Sequence, residues 1–176
     1  MSATHKNTKI EESPTLLLMR HGKSDWQSQT SIDFDRQLAE RGHRDVPRIG
    51  QWLKKNNWTP DQIVCSPAIR TKQTAEYICQ QIGISKTNIE WDARIYEADL
   101  SQLLSIVAET HIATKQLLIV GHNPGFSNLL NYLCPKDSTG RSMPTAALAI
   151  IALDVMWTNL NKDAGKLLSL VVPKQL

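Results

Sequence analysis

Cysteine is scarce in this 176-residue chain: Cys65, Cys79 and Cys134 are the three present, with no CxxC or CxH spacing. An odd, dispersed set argues against a disulfide framework and a cysteine-built zinc site, and fits a reduced, cytoplasmic protein. The five histidines show no HxH or HxxxH spacing, so no metal site is expected from them either. Long hydrophobic runs are missing. Leu16-Leu17-Leu18-Met19 is too short for a signal-peptide core, and nothing approaches the ~18 apolar residues of a membrane helix, so no membrane partner is expected. Basic residues are scattered, with no run longer than Lys54-Lys55 and a net charge of only +3. The concentrated positive face of a nucleic-acid binder is therefore not expected, while acidic, phosphorylated ligands remain compatible.

What is present is an ordinary globular composition, 41% hydrophobic and 21% charged. A chain of this length can bury close to ~70% of its unfolded surface without a covalent or metal staple. No repeat, low-complexity tract or Pro/Gly-rich linker divides it. Residues 1–13 read as a loose polar tail and residues 14–176 as one domain.

Residues 15–19 are almost wholly apolar, the pattern of a central strand covered on both faces. The stretch 22–37 is too polar to pack. Val46, Ile49, Trp52 and Leu53 recur at helical spacing and predict an amphipathic helix over 40–56, with Pro47 inside it. A second strand at 63–65 is followed by a helix over 68–82 that stops at Gly83. A short strand at 89–91, a helix around 100–107 and a third central strand at 117–120 come next. A helix through Leu129, Leu130 and Leu133 and two β-rich runs at 146–153 and 167–172 complete the chain. Strands alternating with helices predict an α/β three-layer sandwich around a mostly parallel sheet.

In such a sheet, ligands bind beyond the carboxyl ends of the strands. Arg20-His21-Gly22 leaves the first strand, Ser66-Pro67 with Arg70 leaves the second, and Gly121-His122-Asn123-Pro124 leaves the third. Neighbours on a straight strand face opposite ways, so Arg20 and His21 share a site only if the chain turns. Gly22 would permit that turn through a positive φ. Ser66-Pro67 and Asn123-Pro124 each read as an N-cap followed by proline at the first helical position. Two helix N-termini would then aim free N–H groups at one place, and an anion suits them. A phosphoryl group meets all these groups together. A lone arginine or histidine at a strand end is more often solvated, and a bare Arg-His-Gly also matches by chance. The ordered set of three segments is more specific than any member. His5, His43 and His111 lack that context and read as surface residues.

With "LLLMRHGKSDW", "CSPAIRTKQTA" and "LLIVGHNPG" in this order, the chain resembles the histidine phosphatase (phosphoglycerate mutase-like) superfamily, and within it the short SixA-type phosphohistidine phosphatases. The likeness runs over roughly residues 15–173 and includes Asp35-Arg36, Leu38 and Arg41-Gly42. It implies a phosphoglycerate mutase-like fold, His21 as nucleophile, and a phosphate pocket of Arg20, Arg70 and His122, with Gly22 beside the substrate. Gln27 stands where the mutases and sugar bisphosphatases of this superfamily have asparagine. The segment "RIYEADLSQLL" is shorter than their acid-bearing one, and there is no room for their lids. A three-carbon mutase is a poor fit.

The residue types suit the chemistry by themselves. Phosphoryl transfer is mostly positioning and stabilisation of charge on the equatorial oxygens. Arg20 and Arg70 offer planar, permanently charged forks. His122 can donate a further hydrogen bond and, if protonated, a further charge. His21 must attack through a neutral nitrogen, so its other N–H needs an acceptor such as a backbone carbonyl. Ser66 and Asn123 read as helix caps rather than substrate contacts. Glu97, in "IYEAD", is the leading candidate proton donor, against the reading of a solvated carboxylate beside the helix that begins near Asp99. Asp25 is a weaker candidate, as well suited to capping its own loop. The expectation is a metal- and cofactor-independent phosphatase acting on a phosphohistidine-containing protein through phosphorylated His21. A small phosphate monoester is the alternative substrate, and a non-catalytic phosphate-binding module the alternative class.

Overall fold

A computed structural model of the chain describes residues 13–27, 32–135 and 140–176. The expected tail therefore lies, but for its last residue, outside the described residues, as does His5. Strands β1 (Thr15–Arg20), β2 (Gln62–Cys65), β3 (Ile89–Trp91), β4 (Gln116–Gly121), β5 (Leu148–Leu153) and β6 (Gly165–Val171) form one sheet. Its order is β3-β2-β4-β1-β5-β6. The pairs β2–β3, β2–β4 and β1–β4 are parallel, whereas β5 is antiparallel to both β1 and β6. Only β5 runs against the rest, so the sheet is mostly parallel, as expected.

Helices α1 (Glu40–Lys55) and α2 (Ile69–Ile82) cover one face, α3 (Leu100–Ala108) and α4 (Gly125–Leu133) the other. This explains the unbroken apolar run of β1. Leu17 and Met19 pack with Val46, Ile49, Leu53 and Ile78, while Leu16 and Leu18 pack with Leu103, Ile106, Leu129 and Leu130. β4 divides in the same way, Leu118 and Val120 to one core and Leu117 and Ile119 to the other. Each such side chain contributes roughly 1.5–3 kcal/mol through burial, so the central strands anchor both layers. Pro47 sits inside α1 without ending it, and Gly83 stops α2 at φ 79°.

Two expectations need correction. The stretch 22–37 does pack where it is described: Ser24 and Arg36 are buried, and Ser24 bridges Leu38 in antiparallel fashion. Its backbone polarity is met by pairing, with Asp25 N–H donating to Gln37 O at 2.9 Å and Ala39 N–H to Lys23 O at 2.8 Å. Gly22 is not among the residues of positive φ. It is needed for space, because a Cβ there would lie 2.6 Å from Val46 Cγ2, so the loop can run tight against α1.

The topology places the site. β1 and β4 are neighbours in register, Arg20 opposite Gly121, yet their following helices pack on opposite faces of the sheet. That divergence opens a crevice at the carboxyl ends of the strands.

Candidate active site

The three strand ends meet there through backbone hydrogen bonds. His21 N–H donates to Gly121 O and Ser66 N–H to Val120 O, both at 3.0 Å. The His21 and His122 rings lie 5.2 Å apart, centroid to centroid. They open onto a cavity of about 640 Å³ that Arg20, Arg70, Tyr96 and Glu97 also line.

His21 is buried, and its Nδ1 lies 2.6 Å from the Gly22 carbonyl oxygen. A carbonyl can only accept, so Nδ1 carries the proton and Nε2 keeps the lone pair. Burial lowers the His21 pKa to about 4, helped by the charges of Arg70, Arg20 and Arg36 and opposed by the Gly22 hydrogen bond. The ring is therefore neutral at pH 7. His122 is neutral as well, its pKa lowered to about 3 by burial and then by His21 and Arg70. A protonated His122 is thus not what this fold holds in the ligand-free pocket. Its Nε2 lies 2.8 Å from Ser66 Oγ, and Ser66 Oγ accepts from Ala68 N–H at 3.5 Å. Ser66 Oγ can donate to Nε2, and in that arrangement the His122 proton sits on Nδ1, a buried atom without a partner.

Arg20 donates through Nη1 to Met143 O at 2.8 Å. Arg70 is held by one residue: Nη1 donates to Asp33 O at 2.6 Å and Nη2 to Asp33 Oδ2 at 2.8 Å. Its fork is thus oriented by a carboxylate rather than left open, and only Nε lacks a partner. Asp33 Oδ2 also accepts from Tyr96 Oη at 2.9 Å, and Oδ1 accepts from Arg36 Nη2 at 2.6 Å. Burial pushes the Asp33 carboxyl upward, but the Tyr96 hydrogen bond, Arg70 and Arg36 outweigh it and leave the pKa below its usual value.

The structure brings Arg20, His21, Arg70 and His122 together, with Glu97 exposed at the cavity wall at φ 57°. Gly22, expected beside the substrate, does not line the cavity, its N–H donating to Thr74 Oγ1 and its carbonyl facing His21 Nδ1. Asp25 accepts from Gln27 N–H at 2.8 Å, as a loop-capping residue does. The helix starts differ from expectation. α2 is capped at Ala68 and α4 at Pro124, so Ser66 lies outside the cap and serves His122 instead. Asn123 reaches over Pro124, its Oδ1 accepting from Ser127 N–H at 3.2 Å. His111 is exposed, as expected, but His43 is half-buried against Tyr77 Oη at 2.9 Å. His43 lines a separate cavity of about 500 Å³. Asp33, Arg36, Tyr96 and Trp26 escaped the sequence reading. Asp35-Arg36 belonged to the resemblance, but no spacing in the sequence marks any of the four as site residues. Among the described residues, no cluster of three His, Cys, Asp or Glu side chains is placed to hold a metal ion, and no helix is long and apolar enough to cross a membrane.

An α/β sandwich with two histidines and two arginines at the ends of β1, β2 and β4 defines a class. The sequence pattern of the histidine phosphatase superfamily (branch 1) matches residues 16–116, and the chain belongs to that superfamily. An uncharacterized protein of Mycobacterium leprae is 26% identical over 166 residues, spanning 89% of this chain and 100% of that one. SixA from Agrobacterium tumefaciens, provisionally assigned as a phosphohistidine phosphatase, aligns with a TM-score of 0.78 at 25% identity over 92% of this chain and 99% of that one. The protein histidine phosphatase SixA solved with tungstate aligns at 0.77 and 21% identity, over 92% and 98%. The fold is the phosphoglycerate mutase-like fold of these SixA proteins.

Proposed function

We propose that this chain is a phosphatase that removes the phosphoryl group of phosphohistidine from a protein substrate in the cytoplasm, by way of a covalent phosphohistidine on His21. The observation that carries this reading is the Gly22 carbonyl holding the Nδ1 proton of a buried, neutral His21. In the first step the Nε2 lone pair bonds to phosphorus as the P–N bond to the substrate imidazole breaks. The leaving ring keeps the proton on its other nitrogen and departs neutral. In the second step water attacks phosphorus, the P–Nε2 electron pair returns to His21, and the water's proton leaves with phosphate. Nδ1–H stays on Gly22 O throughout, stabilising the positive charge on the phosphorylated ring. Arg20, Arg70 and His122 receive the phosphoryl oxygens, and the oxyanion character of the site agrees with the tungstate found in a related fold.

The leaving group supports phosphohistidine over an ester. An imidazole, whose conjugate acid has a pKa near ~6.5, leaves without a strong acid, whereas an alkoxide does not. Glu97, exposed at the cavity wall, matches the less demanding role.

Phosphate release from a phosphohistidine peptide, an alkyl phosphate and an aryl phosphate, all with EDTA present, tests the reading. Phosphohistidine should be preferred and EDTA without effect. Glu97→Gln should slow phosphohistidine turnover less than about threefold, but slow the alkyl ester by the ~100- to 10,000-fold of a lost general acid. An enzyme that prefers alkyl esters and is crippled by Glu97→Gln is a small-ester phosphatase instead. Phosphate binding without turnover of any substrate means a binding module.

A further inference from the structure

The cavity wall holds more hydrogen-bond donors than the three motif segments supply. Arg36, in the loop after β1, is 8% exposed and lines the same cavity as His21. One of its nitrogens is engaged, Nη2 with Asp33 Oδ1. Nε and Nη1 are buried and have no partner. The Trp26 ring covers the guanidinium, its centroid 3.5 Å from Cζ, while Trp26 itself is 73% exposed. Folded proteins rarely keep a buried charged donor unmet, and where they do the site commonly awaits a ligand.

Among the described residues, six buried side-chain nitrogens and oxygens lack a partner. Five belong to Arg20, Arg36, Arg70 and His122; the sixth, Gln116 Oε1, lies at the far end of β4. All five are nitrogens of residues lining one cavity. We propose that Arg36 is a phosphoryl-binding residue, a third arginine that donates Nε–H and Nη1–H to the oxygens of the group held by Arg20, Arg70 and His122.

The surroundings of Arg36 fit that task. Asp33 places one carboxylate oxygen on Arg36 and the other on Arg70, which sets the two guanidiniums side by side. Trp26 keeps water from the outer face of Arg36, and a charge–charge contact strengthens as water is excluded. Three non-bridging oxygens can each accept more than one hydrogen bond, so a phosphoryl group has capacity for all five orphaned nitrogens. A third guanidinium also suits a dianion better than a monoanion. The inference rests on the cavity taking a phosphoryl group, but not on turnover.

Calorimetric titration of the full chain with orthophosphate tests it, with melting curves confirming that each variant is folded. Arg36→Gln should weaken phosphate binding about 10- to 100-fold, the range for losing hydrogen bonds from a charged group. Arg36→Lys keeps a charge and a donor for Asp33, and should weaken it less, by about 3- to 10-fold. A folded Arg36→Gln protein that binds phosphate within twofold of the wild type overturns the proposal. If that variant does not fold, unchanged binding by Arg36→Lys overturns it equally. Arg20→Gln separates the two levels of the argument. If Arg20→Gln weakens binding and neither Arg36 variant does, Arg36 alone is misassigned. If neither position matters, or the wild type binds no phosphate, the phosphoryl pocket fails and Arg36 with it.

Discussion

Arg94 lies at the surface between Asp92 and Glu109, and its Nε, Nη1 and Nη2 all donate to carboxylate oxygens at 2.6–3.1 Å. At the carboxyl end of the sheet, Arg20, Arg36 and Arg70 each keep at least one buried nitrogen without a partner. Both clusters hold an aspartate below its usual pKa: Asp92 through hydrogen bonds from Arg94, Asp33 through Tyr96, Arg70 and Arg36 against the effect of burial. Charge density and a shifted carboxylate therefore do not tell the clusters apart. What differs is completeness. The exposed network closes on itself, and such surface pairs contribute little to stability. The buried one leaves donors of several residues unmet around a single cavity, which is the condition of a site built for an anion.

The sharpest way to break this contrast is His21→Ala. Removing the proposed nucleophilic nitrogen should lower turnover on the order of 10⁴-fold or more, with the melting curve largely kept. Labelled substrate quenched in alkali should mark the wild type and leave the variant unlabelled. Label on the alanine protein would move the reacting group elsewhere. Arg70→Lys comes next. Lysine cannot hold both Asp33 oxygens and still present a further planar N–H, so kcat should fall ~100- to 1,000-fold. A near-normal rate would place Arg70 with Arg94, as a structural cation.

The histidines give the contrast a pH dependence. The folded pKa values of His21, about 4, and His122, about 3, lie below the usual 6.5, so the unfolded chain binds these protons more readily. The stability they allow is present above pH 6.5 and is lost as pH falls from 6.5 through about 4 and then about 3. For His21 alone the loss is on the order of 3 kcal/mol. Urea unfolding at pH 7.5 and 4.5 should show it, and His122→Asn should reduce the difference. An unchanged difference in that variant would mean that other groups govern the acid limb. The smallest effect belongs to Arg94→Ala: activity within twofold of the wild type and a melting shift below about 2 °C. A tenfold loss of activity would show that the surface network supports the pocket after all.

Much of this was legible before any coordinates. The four-residue apolar runs of β1 and β4, and the shorter one of β2, mark strands covered on both faces by helices. The periodic faces of α1 and α2 are equally plain, and Arg20, His21, Arg70 and His122 gather where the strand ends converge, Arg20 as the last residue of β1 and Arg70 in the first turn of α2. Short-range signals were less dependable where two partners compete for one group. Ser66 reads as a cap until His122, 56 positions away, takes its hydroxyl. Gly22 reads as a positive-φ turn until Val46 is seen pressed against it.

Local pattern determined the layers, the mostly parallel character of the sheet and the placing of the four motif side chains near its strand ends, since these follow from which residues avoid water and where the chain must turn. The tertiary structure alone decided how those side chains are held. Asp33 meets Arg70 across 37 positions and Tyr96 across 63, distances at which the sequence carries no periodic trace of contact. Burial, which no single residue reveals, makes both histidines neutral and leaves Arg36 beneath Trp26 with donors unmet. A residue's type fixes what it can donate or accept, but its charge state and its vacant partners depend on everything the fold packs around it.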